Sequence, residues 1–419
     1  MAKSKGFLLK LPTKASERAV VIALNILMFG MVYLILRSSA FVSLGLIVCV
    51  IVGLLLADKF KIISWVYDLF IANKKLALVI AAICIFALPI LFAPKSSQYI
   101  AHIAVMATIY SMVCLGLNFQ MGSTNMVNFA PAAFMGIGAY AMAVFTVRMG
   151  LSAWVGMLAA IFFSCTAGLL IGLPTLRTKG YYLSLVTMAL QLTFTQLIKN
   201  IPYLGGPNGI TGVKSLSIAD FSFYKSYTVF GMKMAPHIPL FFFCLLLLFG
   251  MVYIAMRVGV SHYGLTLNNI AQDEVAANCL GVNCDRRKLF AFVIGSIFCG
   301  IGGALNAGLT SFVGPSDYTF ARSLVFICMV ILGGMDNPIG VVVGAFLLTV
   351  LTEKLRDFAD YAQLIYAVIL VTVLIVRPAG LIPKRIRNYC ALFGKKLRPA
   401  LIETKKNPVS SAETTVVSE

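Results

Sequence analysis

Acidic side chains are scarce in this chain, with 15 Asp and Glu against 34 Lys and Arg in 419 residues. Charged residues of both signs reach only 12%, too few to solvate the surface of a soluble domain. No carboxylate falls inside an apolar run. Asp58, Asp68, Asp317, Asp336, Glu353, Asp357 and Asp360 all stand at run edges or in loops. Ion- and proton-coupled carriers commonly place an ionisable group within the bundle. Its absence argues against a secondary transporter and leaves the energy source to another subunit. Histidine is rarer still, and His102, His237 and His262 are too scattered to form a ligand cluster. There is no Walker motif, catalytic triad or metal-ligand spacing, so the chain does not read as an enzyme. Cys279 and Cys284 are close, but no second pair completes a zinc site. The other cysteines, such as Cys114, Cys244 and Cys299, sit in apolar runs and read as small hydrophobes.

What is abundant is apolar sequence, at 60% of residues. Long runs recur at 20–36, 40–57, 76–93, 100–119, 129–147, 152–173, 181–198, 238–256, 289–308, 322–333, 338–352 and 361–376. Their lengths predict an all-α polytopic membrane protein. Gly333 to Gly340 (GGMDNPIG) interrupts what would be one long run, which predicts two short membrane segments joined by a tight turn. The 34 glycines suit close helix contact in lipid.

The net charge of +19 sits mostly at the termini and in short loops, so it reports orientation rather than a nucleic-acid footprint. Lys3, Lys5, Lys10, Lys14 and Arg18 precede the first run, and Arg377, Lys384, Arg385 and Arg387 follow the last. Both termini are expected in the cytoplasm, with loops 199–237 and 309–321 facing outward. The N-terminal run lacks a small-residue cleavage site and reads as an uncleaved anchor. The polar tail from Lys405 onward reads as disordered.

Three segments carry polar information. Arg257 to Lys288 is the one long polar stretch in the hydrophobic half of the chain. Within it Asn268–Leu280 (NNIAQDEVAANCL) has helical spacing, with Ile270, Val275, Ala276 and Leu280 as an apolar stripe and Gly281 as its stop. Such a helix offers a surface to a soluble partner; the alternative is a solvated connector.

Gly116 to Ala143 brings Asn118, Gln120, Ser123, Thr124, Asn125 and Asn128 into apolar surroundings, with Gly122 and Pro131 as expected helix breaks. These amides either line a pathway or hydrogen-bond between helices. Gly205 to Val213 (GGPNGITGV) is a turn sequence without the Lys-Ser/Thr of a phosphate loop. A shaped outer surface around Gly206, Pro207, Asn208 and Gly209 is expected there. A membrane scaffold or receptor without transport would leave the polar breaks unexplained.

The Gly116–Ala143 block, LRTKGYYLSLVTMA (Leu176–Ala189), GGPNGITGV, the Asn268–Leu305 block, LGGMDNPIGVVVGA (Leu332–Ala345) and VRPAGLIPKR (Val376–Arg385) occur in a fixed order. Together they resemble the LivM-type permeases of branched-chain amino acid ABC importers. The resemblance implies a core of about ten spans over 76–388 and a two-span extension within 1–75. It leaves 389–419 as a cytoplasmic tail. It also implies a bacterial inner-membrane location, a homologous second permease, two cytoplasmic ATPases and a periplasmic amino-acid-binding protein. ATP and magnesium would be held by the ATPases, with no cofactor in this chain. The 257–288 loop would couple to an ATPase, with Gln272, Asp273, Glu274, Ala277 and Gly281 in the motif core. Gly206–Gly209 would belong to the outer surface that receives the binding protein. Asn118, Gln120, Asn125 and Asn128 stay candidates for the substrate pathway on their polarity alone, with interhelical hydrogen bonding as the alternative. Leucine, isoleucine and valine are the expected cargo, although relatives carry other amino acids, urea or short amides. Many relatives have a Ser-Leu-Gly-His run where this chain has Val127–Asn128–Phe129–Ala130–Pro131.

Overall fold

A computed structural model describes residues 97–175, 181–218 and 237–355 continuously, with short pieces between 221 and 233 and scattered positions elsewhere. The expected spans at 20–36, 40–57, 76–93 and 361–376, and the C-terminal tail, lie largely or wholly outside the described residues.

The described chain is an all-α membrane bundle. Its helices are α1 (Ser97–Thr124), α2 (Pro131–Ala143), α3 (Ala153–Thr175), α4 (Tyr181–Asn200) and α5 (Ile238–Val260). Two short helices follow, α6 (His262–Gln272) and α7 (Glu274–Cys279), then α8 (Cys284–Thr310), α9 (Phe320–Gly333) and α10 (Pro338–Leu355). Among the described residues, six stretches are long and apolar enough to cross a membrane, namely α1, α2 with its extension to Arg148, α3, α5, α8 and α10. At 14 residues, α9 is shorter. Although α4 is long enough, a polar stripe dilutes its apolar content.

At the centre, α8 packs against α1, α2 and α3. Glycines permit the approach. A Cβ on Gly116 would lie 2.5 Å from the Gly295 carbonyl oxygen, and one on Gly138 would overlap the Gly300 backbone. Lipid gives helices no hydrophobic reason to associate, so this backbone-level packing has to supply the attraction.

The contacts also set direction. Gly116 meets Gly295 while Gly302 meets Val113, so α1 and α8 run antiparallel. The bundle therefore has one end carrying α6 and α7, and an opposite end carrying the start of α1 and the end of α8.

Pro131 starts α2 at its first turn, where its missing N–H costs nothing. The expected break at Gly122 does not occur, because α1 continues to Thr124 and the break falls at Asn125, whose φ is +57°. Gly122 instead lets the Asp336 backbone approach. A π-helical stretch at Val144–Arg148 ends α2.

Residues 334–337 form the tight turn between α9 and α10, with Asp336 at φ +64°. Leu381 and Ile382 donate N–H bonds of 2.7 and 3.2 Å to the Leu332 and Gly333 carbonyls. The chain beyond α10 thereby satisfies carbonyls that the C-terminus of α9 leaves open.

Candidate functional site

The 257–288 loop is ordered by its own caps. Ser261 caps α6, accepting from the Gly264 N–H. The sequence pattern suggests one helix from Asn268 to Leu280, but the chain forms two, split at Asp273 in extended conformation (φ −154°, ψ 110°). The Asp273 carboxylate oxygen accepts from Val275 N at 2.9 Å and Ala276 N at 3.1 Å, a better use of a short acid than a helix interior.

At the other end, Gly281 takes φ +79°. Its N–H bonds to the Asn278 carbonyl at 2.9 Å, and Val282 N bonds to the Ala277 carbonyl at 3.2 Å. This is a Schellman motif, and Val282 and Ala277 make its accompanying apolar contact in a small cluster with Ile270 and Cys284. Asn283 then caps α8, accepting from Arg286 N at 3.2 Å.

The expected apolar stripe is corrected by this split. Ile270 is buried, but Val275 and Leu280 are 72% and 77% exposed and Ala276 is exposed beside them. Register is lost at Asp273, so positions that share a face on one helix part company on two. Of the motif residues, Gln272, Asp273 and Gly281 are exposed. Ala277 is buried, and Glu274 pairs with Lys288 at 2.6 Å across to α8. Two of the five thus fix the element in place, and the exposed surface gains Val275 and Leu280.

Within the bundle, three of the four candidate amides are buried and bonded. Asn118 Oδ1 accepts from the Asp336 N–H at 2.8 Å, tying α1 to the 334–337 turn. Gln120 Nε2 donates to the Phe292 carbonyl on α8 at 2.9 Å, while its Oε1 accepts from Asn128 Nδ2 at 2.6 Å. Asn128 Oδ1 accepts from Ala130 N at 2.8 Å. These bonds support the interhelical reading for Asn118, Gln120 and Asn128. Asn125 is exposed in left-handed conformation, which asparagine tolerates better than most residues. Asp336 is 3% exposed and accepts from Ser123 Oγ at 3.0 Å, so a carboxylate that reads as a loop residue is a buried one.

A second network went unread in the sequence. Ser184, Thr187, Gln191 and Thr195 line one face of α4, whose other faces expose Leu185, Val186, Leu192 and Leu197. Gln191 Oε1 accepts from Ala133 N at 2.7 Å and from Ser323 Oγ at 2.9 Å, and Gln191 Nε2 donates to the Tyr318 carbonyl at 2.7 Å. Thr187 Oγ1 accepts from Phe129 N at 3.1 Å. The two networks bond backbone groups of the unwound stretch between α1 and α2, namely Phe129 N and Ala130 N, with Ser184 Oγ donating to the Val127 carbonyl at 3.4 Å. Helical spacing of polar residues within an apolar run was the available signal.

At the opposite end, Gly206–Asn208 forms a 3₁₀ turn flanked by left-handed Gly205 and by Gly209 at φ +71°. Ile210–Thr211 pairs antiparallel with Phe312–Val313, in register Ile210 to Val313. A Cβ on Gly209 would strike the Val313 carbonyl. Gly206 is buried and Gly209 partly so, leaving Pro207 and Asn208 as the exposed pair of the expected docking turn.

Residues 99–376 match the family described as branched-chain amino acid transport system / permease component. The high-affinity branched-chain amino acid transport system permease protein LivM of Salmonella typhimurium is 34% identical over 294 residues, covering 67% of this chain and 69% of the relative. LivM of Escherichia coli K12 is 33% identical, covering 68% and 71%. The probable permease LivH of Methanocaldococcus jannaschii is 20% identical, covering 66% and 90%. No solved structure matches. A match over most of the bundle, with two relatives above 30% identity, establishes that the chain belongs to the permease family of branched-chain amino acid transport systems.

Proposed function

We propose that the chain is the membrane-spanning permease subunit of an ATP-driven importer for leucine, isoleucine and valine. The observation that carries this reading is family membership over residues 99–376, joined to a locally ordered, partly apolar surface on α7. The chain sits in the bacterial inner membrane with both termini in the cytoplasm, as its basic residues favour. The core over 76–388 has about ten spans, preceded by a two-span extension within 1–75 and followed by the tail 389–419.

A second, homologous permease completes the pathway; the relatives named LivM and LivH supply the precedent for two permease types. Two cytoplasmic ATPases hold ATP and magnesium. One grips the surface around α7, through Gln272 at the end of α6, Val275 on α7 and Leu280 at its C-cap, while Asp273 and Gly281 hold that surface in shape and Glu274 and Ala277 anchor it. Because α7 is joined to α8 through Asn283 and the Glu274–Lys288 pair, displacement of α7 is transmitted to the helix at the bundle centre. Hydrolysis then shifts the population between outward- and inward-open cavities, with the bias supplied from outside this chain. A periplasmic binding protein delivers substrate at the opposite end, where Pro207 and Asn208 are exposed.

Reconstitution of this chain with the permease, ATPase and binding-protein genes beside it tests the reading. ATP-dependent uptake of leucine into proteoliposomes is expected. Failure of this chain to co-purify with a nucleotide-binding subunit, or uptake without the binding protein, contradicts it.

A further inference from the structure

At the end opposite α6 and α7, a cavity of about 150 Å³ opens between α1, α2, α8 and the start of α9. Its lining carries two opposite charges, Asp317 and Arg322. Neither forms an ion pair with the other or with another described residue. The Arg322 guanidinium lies over the Tyr110 ring, 5.6 Å from its centre, which holds the charge at the cavity wall without neutralising it. Asn306 also lines the cavity, is 7% exposed, and its Oδ1 has no hydrogen-bond partner. Leaving a buried carbonyl unbonded, and two charges without an ion-pair partner among the described residues of an apolar bundle, is costly. The remaining wall is apolar and adaptable, formed by Met106, Met135 and Phe312.

We infer that this cavity is a binding site for a zwitterionic α-amino acid with a short aliphatic side chain, inside the permease and separate from the binding protein. The α-carboxylate pairs with Arg322, the α-ammonium donates to Asp317 and Asn306 Oδ1, and the aliphatic group lies on Met106, Met135 and Phe312. A ligand carrying both charges satisfies all three open polar groups at once, whereas a simple anion or cation satisfies one charge and leaves the other bare. A cavity of about 150 Å³ accepts benzene in a protein core, which is room for a short aliphatic side chain whose charged head lies at the open wall. Thr310, exposed at the rim, marks the mouth. The inference rests on the transport reading for its substrate class, but its test does not require transport.

The test is equilibrium binding of radiolabelled leucine to the assembled permease–ATPase complex in nanodiscs, without the binding protein or nucleotide. Saturable binding is expected, weakened about tenfold or more by Asp317→Asn and by Arg322→Gln, the effect of losing a charged hydrogen bond. Neither 4-methylpentanoate nor 3-methylbutylamine, each lacking one charge, should displace leucine. If a charge variant fails to assemble, Met106→Phe decides, since it keeps both charges and narrows the cavity. It should weaken leucine binding and spare alanine binding. Absence of saturable binding overturns the inference, as does binding indifferent to these substitutions or displacement by 4-methylpentanoate equal to that by leucine. Uptake lost in the charge variants with leucine binding intact would assign the pair to holding the binding protein, and also overturns it. Loss of ATP-driven uptake in the unmodified assembly is a separate result, bearing on the proposed function alone.

Discussion

The 257–288 loop and the 118–133 segment use polar side chains, Asp and Asn in the first and Asn and Gln in the second, in opposite ways. In the loop, Asp273 and Asn283 bond to backbone N–H groups two or three residues ahead. Between α1 and α2, Asn118 and Gln120 reach partners 218 and 172 residues away. Water can satisfy the loop's remaining groups, so its caps need only shape the chain locally. Within the apolar bundle water is scarce, so freed N–H groups such as those of Phe129 and Ala133 find partners on another helix, Thr187 and Gln191 of α4. The loop therefore keeps a free outer face, whereas the bundle segment is largely covered and exposes only Asn125.

This contrast ranks substitutions. The largest effect is expected where backbones touch. Gly295→Leu forces apart α1 and α8 at the Gly116 contact, costs about 3 kcal/mol, and should abolish recovery of monodisperse protein. Gln191→Ala comes next, because it strips partners from Ala133 N–H, Ser323 and the Tyr318 carbonyl together. A loss of about 2 kcal/mol is expected, read as a lower Tm of the purified complex. Asp273→Ala should cost about 1 kcal/mol confined to α7, leaving Tm of the bundle unchanged but lowering substrate-stimulated ATPase activity several-fold. Asn125→Gly removes a left-handed asparagine that bonds nothing distant, and should change Tm by no more than about 0.5 kcal/mol equivalent. If Gln191→Ala and Asp273→Ala proved alike in both readouts, the contrast between long-range and local order would collapse.

The same contrast explains what the sequence disclosed. Helix positions followed from apolar runs, and the GGMDNPIG interruption marked the turn between α9 and α10 because Gly334 and Asp336 need positive φ there. Gly281 was legible as a helix stop for the same local reason. The split at Asp273 was not, since Asp fits both a polar helix face and a cap, and periodicity alone favours the longer helix. The bonds of Asn118 to Asp336, of Gln120 to Phe292 and of Gln191 to Tyr318 and Ser323 were illegible in principle, because nothing near these residues in the chain names a partner more than a hundred positions away. Asp336 misled for a related reason: a turn residue between Gly and Pro reads as solvated, yet here another helix covers the turn.

The proposed entry point of ATP hydrolysis into the permease is the exposed surface at α7. Its test is ATPase stimulation by substrate-loaded binding protein in a complex carrying Leu280→Arg, a position 77% exposed. Stimulation is expected to fall about tenfold with an unchanged Tm, as for a central contact at a protein interface. Full stimulation in that variant would contradict it and move the coupling surface elsewhere.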